Sequence, residues 1–152
     1  MSVLDRSEPE SKDEVLVSDD GRVRVVTLNR PDRVNAFKPT TYRRLAEVLD
    51  MADAAGEVSV VLMHGAGRGF SSGVDLASVG EQEPTLEETF DELIESLIRF
   101  SKPLIAAVHG AAVGFGATIL LHCDLVLVAD TARLRFPFTA LGTTPEAGSS
   151  AL

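Results

Sequence analysis

Cysteine is almost missing from this chain: Cys123 stands alone. That excludes an intramolecular disulfide, leaves too few thiolates for a zinc site, and points to a reducing compartment, the cytoplasm. Positive charge is also scarce, with 14 Lys+Arg against 23 Asp+Glu and a formal net charge of −9. Nucleic acid and anionic membrane surfaces both need a basic face, so neither is an expected partner, whereas a small anionic ligand held by local arginines is compatible. No apolar run approaches a membrane span, because Gly114 and Gly116 break the longest candidate. The acidic stretch from Met1 to Glu14 has neither the apolar segment of a secretory signal nor the arginine-rich character of a transit peptide. His64, His109 and His122 fall at element ends without ligand spacing, and no metal site is expected.

What is present reads as one α/β domain of mixed α+β character. Residues 1–13 are expected to form a disordered leader and residues 14–152 the core. Val15–Val17 and Val23–Leu28 flank Ser18-Asp19-Asp20-Gly21 as a hairpin. Tyr42, Leu45, Ala46, Leu49 and Ala52 keep helical spacing between Thr40 and Ala55, with Thr40 or Thr41 as N-cap and Gly56 as the stop. Val58–Met63 and Leu104–Val108 are too continuously apolar for half-exposed strands and read as buried parallel strands. Leu86, Phe90, Leu93, Ile94 and Leu97 mark a second amphipathic helix. A short helix over 116–122, a strand over 125–129 and an extended segment over 132–136 follow. The strand, glycine turn, helix pattern occurs twice, which predicts stacked ββα-like units. Residues 144–152 read as the first turn of a helix left unfinished, so a C-terminal portion of the domain is expected to be missing.

The two glycine turns carry the chemistry. Gly67-Arg68-Gly69-Phe70-Ser71-Ser72-Gly73-Val74-Asp75-Leu76 and His109-Gly110-Ala111-Ala112-Val113-Gly114-Phe115-Gly116 each follow a β-branched run and precede an apolar helical run. Such corners present backbone N–H donors to an anionic oxygen, and two of them can form an oxyanion hole. Gly69-Phe70-Ser71-Ser72-Gly73 also has the spelling of a hydrolase nucleophile elbow, but Gly65–Arg68 separate it from the strand and no histidine follows His122. Pro145-Glu146 supplies an acid. Read locally, Thr144 as N-cap, Pro145 at N1 and Glu146 at N2 is ordinary helix-start chemistry; a catalytic carboxylate is the other reading. Asp75 and Asp124 sit at element boundaries, where bonding to nearby backbone N–H groups is the expectation, and Cys123 is expected to be packing.

Four ordered segments resemble one family: Leu28-Asn29-Arg30-Pro31 with Val34-Asn35-Ala36; Gly69–Leu76; Lys102-Pro103-Leu104-Ile105-Ala106-Ala107-Val108-His109-Gly110; and Cys123-Asp124-Leu125-Val126. Together they are similar to the enoyl-CoA hydratase/isomerase (crotonase) superfamily over about Val15–Leu152. The resemblance implies a spiral of ββα repeats that assembles as a trimer or dimer of trimers. It implies an acyl-CoA substrate whose thioester carbonyl rests between the Val74 and Phe115 N–H groups. Arg33, Val34, Ala36 and the loop Ser71, Ser72, Gly73, Val74, Asp75 and Leu76 match family positions that meet CoA. The two carboxylate positions of the hydratases fall on Thr118 and Phe138, neither of which can activate water. Glu146 and its surroundings resemble the Δ3,Δ2-enoyl-CoA isomerases, in which that glutamate is the only base. No metal or redox cofactor is implied; coenzyme A enters as part of the substrate. A hydratase-like enzyme on an unusual CoA thioester and a non-catalytic acyl-CoA-binding relative are the alternatives.

Overall fold

A computed structural model describes residues 13–80 and 84–152. A five-stranded sheet contains β1 (Val15–Asp20), β2 (Val23–Leu28), β3 (Val60–Gly65), β4 (Leu104–Val108) and β6 (Leu125–Val128), in that spatial order. The β1/β2 hairpin is antiparallel and every later pairing is parallel. A second, smaller sheet pairs β5 (Ala111–Val113) with β7 (Arg133–Arg135). Single bridges Phe37 to Val74 and Ser71 to Ala112 continue that ladder across the preceding turns of the chain.

The backbone therefore climbs as a spiral. Each turn lays one long strand in the large sheet, then a short extended piece in the small one, then a helix. The long/short pairs are β2 with Phe37, β3 with Ser71–Val74, β4 with β5, and β6 with β7. The helices that follow the first three are α1 (Pro39–Ala54), α2 (Leu86–Arg99) and α3 (Phe115–Thr118), the last continued by a 3-10 segment over Ile119–His122. A parallel strand cannot be reached by a tight turn, so each step needs such a crossover. The crotonase-like ββα spiral expected from the sequence is present, with more turns than the two its glycine corners announce.

α1 buries Tyr42, Leu45, Val48, Leu49 and Ala52, and α2 buries Leu93 and Leu97, against the alternate residues Val61, Met63, Leu104, Ala106 and Val108 of the sheet. Burying side chains of this size contributes about 1.5–3 kcal/mol each. α2 opens with a capping box in which Thr85 and Glu88 exchange side-chain-to-backbone hydrogen bonds. At the end of α1 nearest the glycine corners, Phe37, Tyr42, Phe90 and Phe115 form one cluster with ring centroids 5.0–5.8 Å apart.

Several local expectations are corrected. α1 starts at Pro39 with Lys38 as N-cap, because proline fits the first helical position; Thr40 and Thr41 instead donate to the Glu14 carboxylate at 2.9 and 2.6 Å. The hairpin strands run on to Asp20 and leave a Gly21-Arg22 turn. β3 begins at Val60 and buries one face fully, its other face being only half-buried. Residues 144–152 form successive turns rather than a helix start, since Ala147 at φ 54 cannot continue a right-handed helix. Apart from Asp13, whose carbonyl accepts a hydrogen bond from the Asn29 side chain, the expected leader lies outside the described residues. Leu125 and Leu127 of β6, Leu134 of β7 and Phe136 just after it are exposed.

Candidate active site

The two glycine corners pack directly on each other. Ser71 N–H donates to Ala111 C=O at 3.0 Å, and Val113 N–H returns a bond to Ser71 C=O at 2.9 Å. Gly73 at φ 86 lies so close that a Cβ built there would meet the Val113 oxygen at 2.5 Å and the Phe115 nitrogen at 3.2 Å. Gly116 faces the Ser71 carbonyl just as closely, at 2.6 Å. Phe37 binds the chain on both sides of Val74, taking Asp75 N–H and giving its own N–H to Gly73 C=O. This leaves the Val74 N–H, and the Phe115 N–H at the first position of α3, donating to no acceptor among the described residues. Backbone donors at buried corners are normally paired. Two unpaired ones on touching segments, a cradle, can together receive an anionic oxygen.

Asn35 holds this geometry. Fully buried at φ 53, it accepts Arg30 N–H and donates from Nδ2 to the carbonyls of Ala66, Gly69 and Phe70 at 2.9–3.2 Å. Arg30 in turn reaches Ala36 C=O at 2.6 Å and Asp75 at 3.0 Å. Residues 30–37 are thus tied to residues 69–75. The sequence offered Asn35 and Arg30 as motif letters without a role; their bonds are long-range and leave no periodic trace.

Glu146 reaches the cradle from the end of the chain. Its Oε1 accepts the Thr118 hydroxyl at 2.8 Å. Thr118 is fully buried and also contacts Phe115 C=O at 3.4 Å, so the carboxyl is anchored within one turn of the Phe115 amide. The turn carrying it is fixed by His122, whose Nε2–H donates to Ala147 C=O at 2.8 Å. Burial pushes the Glu146 carboxyl above its ordinary value, and the Thr118 hydroxyl opposes that rise. Desolvation disfavours the charged form, which makes the group a better proton acceptor once ionised.

The structure brings Val74, Phe115 and Glu146 into one neighbourhood and sets Arg33 and Val34 against Ser72, whose N–H and hydroxyl donate to the Val34 and Arg33 carbonyls at 2.8 and 3.0 Å, while Arg30 bridges the Ala36 carbonyl and Asp75. The Arg33 side chain projects outward, 3.9 Å from Asp32, and Leu76 is exposed. Ser71 Oγ is buried and spent on Asn35 C=O and Gly73 N–H, which removes it as a nucleophile. Phe138 is buried, and Thr118 serves Glu146 rather than a water. Asp75 accepts Ala77 N–H, and Asp124 accepts Leu104 N–H, at 3.3 and 2.8 Å, the element-end roles expected of them. Cys123 is half-buried, its thiol pushed up to about 12 by burial and the neighbouring Asp124. Among the described residues no cluster of His, Cys, Asp or Glu is arranged to hold a metal ion, and no helix is long and apolar enough to cross a membrane.

A ββα spiral whose adjacent corners present paired amides beside one carboxylate defines a crotonase-like fold. The enoyl-CoA hydratase/isomerase profile matches residues 19–152. The chain is 36% identical over 136 residues to a 1,2-epoxyphenylacetyl-CoA isomerase of Escherichia coli, covering 84% of this chain and 52% of that protein. It is 38% identical over 139 residues to a 2,3-dehydroadipyl-CoA hydratase of the same organism, covering 90% and 54%. The solved enoyl-CoA hydratase/isomerase of Pseudoalteromonas atlantica superposes with a TM-score of 0.86 at 35% identity, over 92% of this chain and 56% of that one. This protein belongs to the enoyl-CoA hydratase/isomerase family. It spans about half the length of the curated relatives it matches.

Proposed function

We propose that this chain carries the catalytic centre of a Δ3,Δ2-enoyl-CoA isomerase, with Glu146 as its single proton shuttle. The observation that carries the reading is the Glu146 carboxylate bonded to Thr118 beside the Phe115 amide, where Thr118 and Phe138 leave no second acid. In the proposed reaction Glu146 takes a proton from carbon 2 of a 3-enoyl thioester. The electron pair moves onto the thioester oxygen, giving a dienolate whose charge the Val74 and Phe115 N–H groups receive. Each such preorganised donor contributes roughly 3–4 kcal/mol to lowering the barrier. Glu146 then returns the proton to carbon 4, leaving a 2-enoyl thioester of unchanged mass. Water addition needs one carboxylate to hold and another to activate the nucleophile, so a single acid favours proton transfer, while the similar identities to an isomerase and a hydratase favour neither reaction.

CoA contacts from Arg33, Val34, Ala36 and Ser71–Leu76, a cytoplasmic setting, and trimeric assembly complete the reading; the exposed apolar side chains of β6 and β7 supply a surface for self-association. The test is product analysis with a 3-enoyl-CoA. Appearance of the conjugated 2-enoyl isomer supports the reading, whereas inertness toward that substrate with hydration of a 2-enoyl-CoA overturns it.

A further inference from the structure

Tyr42 is the only tyrosine of the chain. Its spacing on α1 makes it look like one more core residue, and its ring is fully buried. Yet among the described residues its hydroxyl has no hydrogen-bond partner; Ser149 Oγ, in the turn that carries Glu146, is the other buried side-chain polar atom in that state. A buried hydroxyl without a partner disfavours the fold, and phenylalanine would fill the same space without that cost. The ring contacts those of Phe115 at 5.0 Å, Phe37 at 5.0 Å and Phe90 at 5.8 Å. It therefore stands behind the residue whose amide forms half of the oxyanion cradle. Burial, and secondarily the charge of Glu146, hold the phenol above its ordinary value, so it stays a protonated donor at every working pH and lies within electrostatic reach of the carboxylate.

We propose that Tyr42 is a specificity-determining residue whose phenolic O–H donates to an oxygen atom on the acyl group, so that the site selects oxygen-substituted acyl thioesters over plain hydrocarbon ones. The three aromatic rings in contact with Tyr42 are all phenylalanines, which leaves the phenol as the one directional group of that ring cluster. A site built to hydrogen-bond a substrate oxygen rejects the analogue lacking it far more sharply than an apolar pocket rejects an extra methylene, because the pocket's own polar group is otherwise left unpaired. The inference rests on the acyl-thioester reading above.

The test uses two 3-enoyl-CoA thioesters of equal chain length, one bearing a hydroxyl or keto oxygen on the acyl chain, with dissociation constants and kcat/KM measured for the wild type and for Tyr42→Phe. The wild type is expected to favour the oxygen-bearing thioester by about tenfold or more. Tyr42→Phe should collapse that preference, with the larger fall in kcat/KM on the oxygen-bearing thioester, and should melt no lower than the wild type. Equal affinities in the wild type, binding of neither thioester, a preference that survives in Tyr42→Phe, or an equal loss on both substrates overturns it. A preserved preference without isomer formation would remove the double-bond shift and leave Tyr42's role standing; isomer formation without preference would do the reverse.

Discussion

Gly73→Ala acts at the seam between the two oxyanion corners. The new methyl carbon would start 2.5 Å from the Val113 oxygen and 3.2 Å from the Phe115 nitrogen. Carbon and carbonyl oxygen rest at about 3.3–3.6 Å, so the segment carrying Gly73 and Val74 and the segment carrying Val113 and Phe115 must part by roughly 0.8 Å or more. Alanine at φ 86 adds about 1–2 kcal/mol of backbone strain. Misplacement by about 1 Å can cost 10²-fold in rate, and loss of one oxyanion donor costs about 10²–10³-fold, so kcat should fall by about two to three orders of magnitude. Gly80→Ala separates the two effects: Gly80 has nearly the same φ, 88, but no described residue within 4 Å of an added Cβ. That variant should lose comparable conformational stability and keep its turnover. Rates on a 3-enoyl-CoA, with thermal melts of both variants, decide the matter. Unimpaired turnover in Gly73→Ala, or an equal loss in Gly80→Ala, would refute the reasoning.

Two further outcomes follow from the same contacts. Thr118→Val removes the hydroxyl that opposes the burial-driven rise of Glu146, so the acidic limb of kcat/KM should move to higher pH, with the high-pH plateau the least affected. The sign is that of an acid raised in the folded state: ionisation weakens the fold as pH climbs from the unfolded value through the raised one, and the variant should sharpen that dependence in pH-resolved melts. An unmoved limb would separate Thr118 from Glu146. Asn35→Ala deletes the contacts of one amide oxygen and two N–H protons, two of the four contacts buried and two part-buried; at about 1 kcal/mol for each of three donors or acceptors lost, with carbonyls left unpaired, denaturant titration should show a loss of about 3–5 kcal/mol.

The repeating parts of this molecule were legible because they rest on periodic burial. The apolar stripe of α1 and the continuous runs of β3 and β4 announce a helix and parallel strands, and the glycine corners announce backbone donors. Of the small sheet only β7 was legible, as the extended segment over 132–136; the rest consists of single bridges at Phe37 and Ser71 and the three residues of β5, inside segments that read as turns. Asn35 has no role legible in the sequence, since the carbonyls its Nδ2 reaches lie 31–35 residues away. For Glu146 the helix-start reading was locally sound and failed on the left-handed Ala147, a tertiary override of propensity visible only once His122 is seen holding that carbonyl. Tyr42 fits the helical stripe, and nothing in the stripe reveals an unpaired hydroxyl.

Replacing Glu146 by glutamine tests the central claim most directly, because it keeps the shape and the Thr118 contact but cannot accept the carbon-2 proton. A positioned base is worth about 10²–10⁴-fold. Conversion of 3-enoyl-CoA to the 2-enoyl isomer by Glu146→Gln should drop by that factor while CoA-thioester affinity stays within about threefold, an affinity change below 0.7 kcal/mol. Turnover equal to that of the wild type would contradict the account.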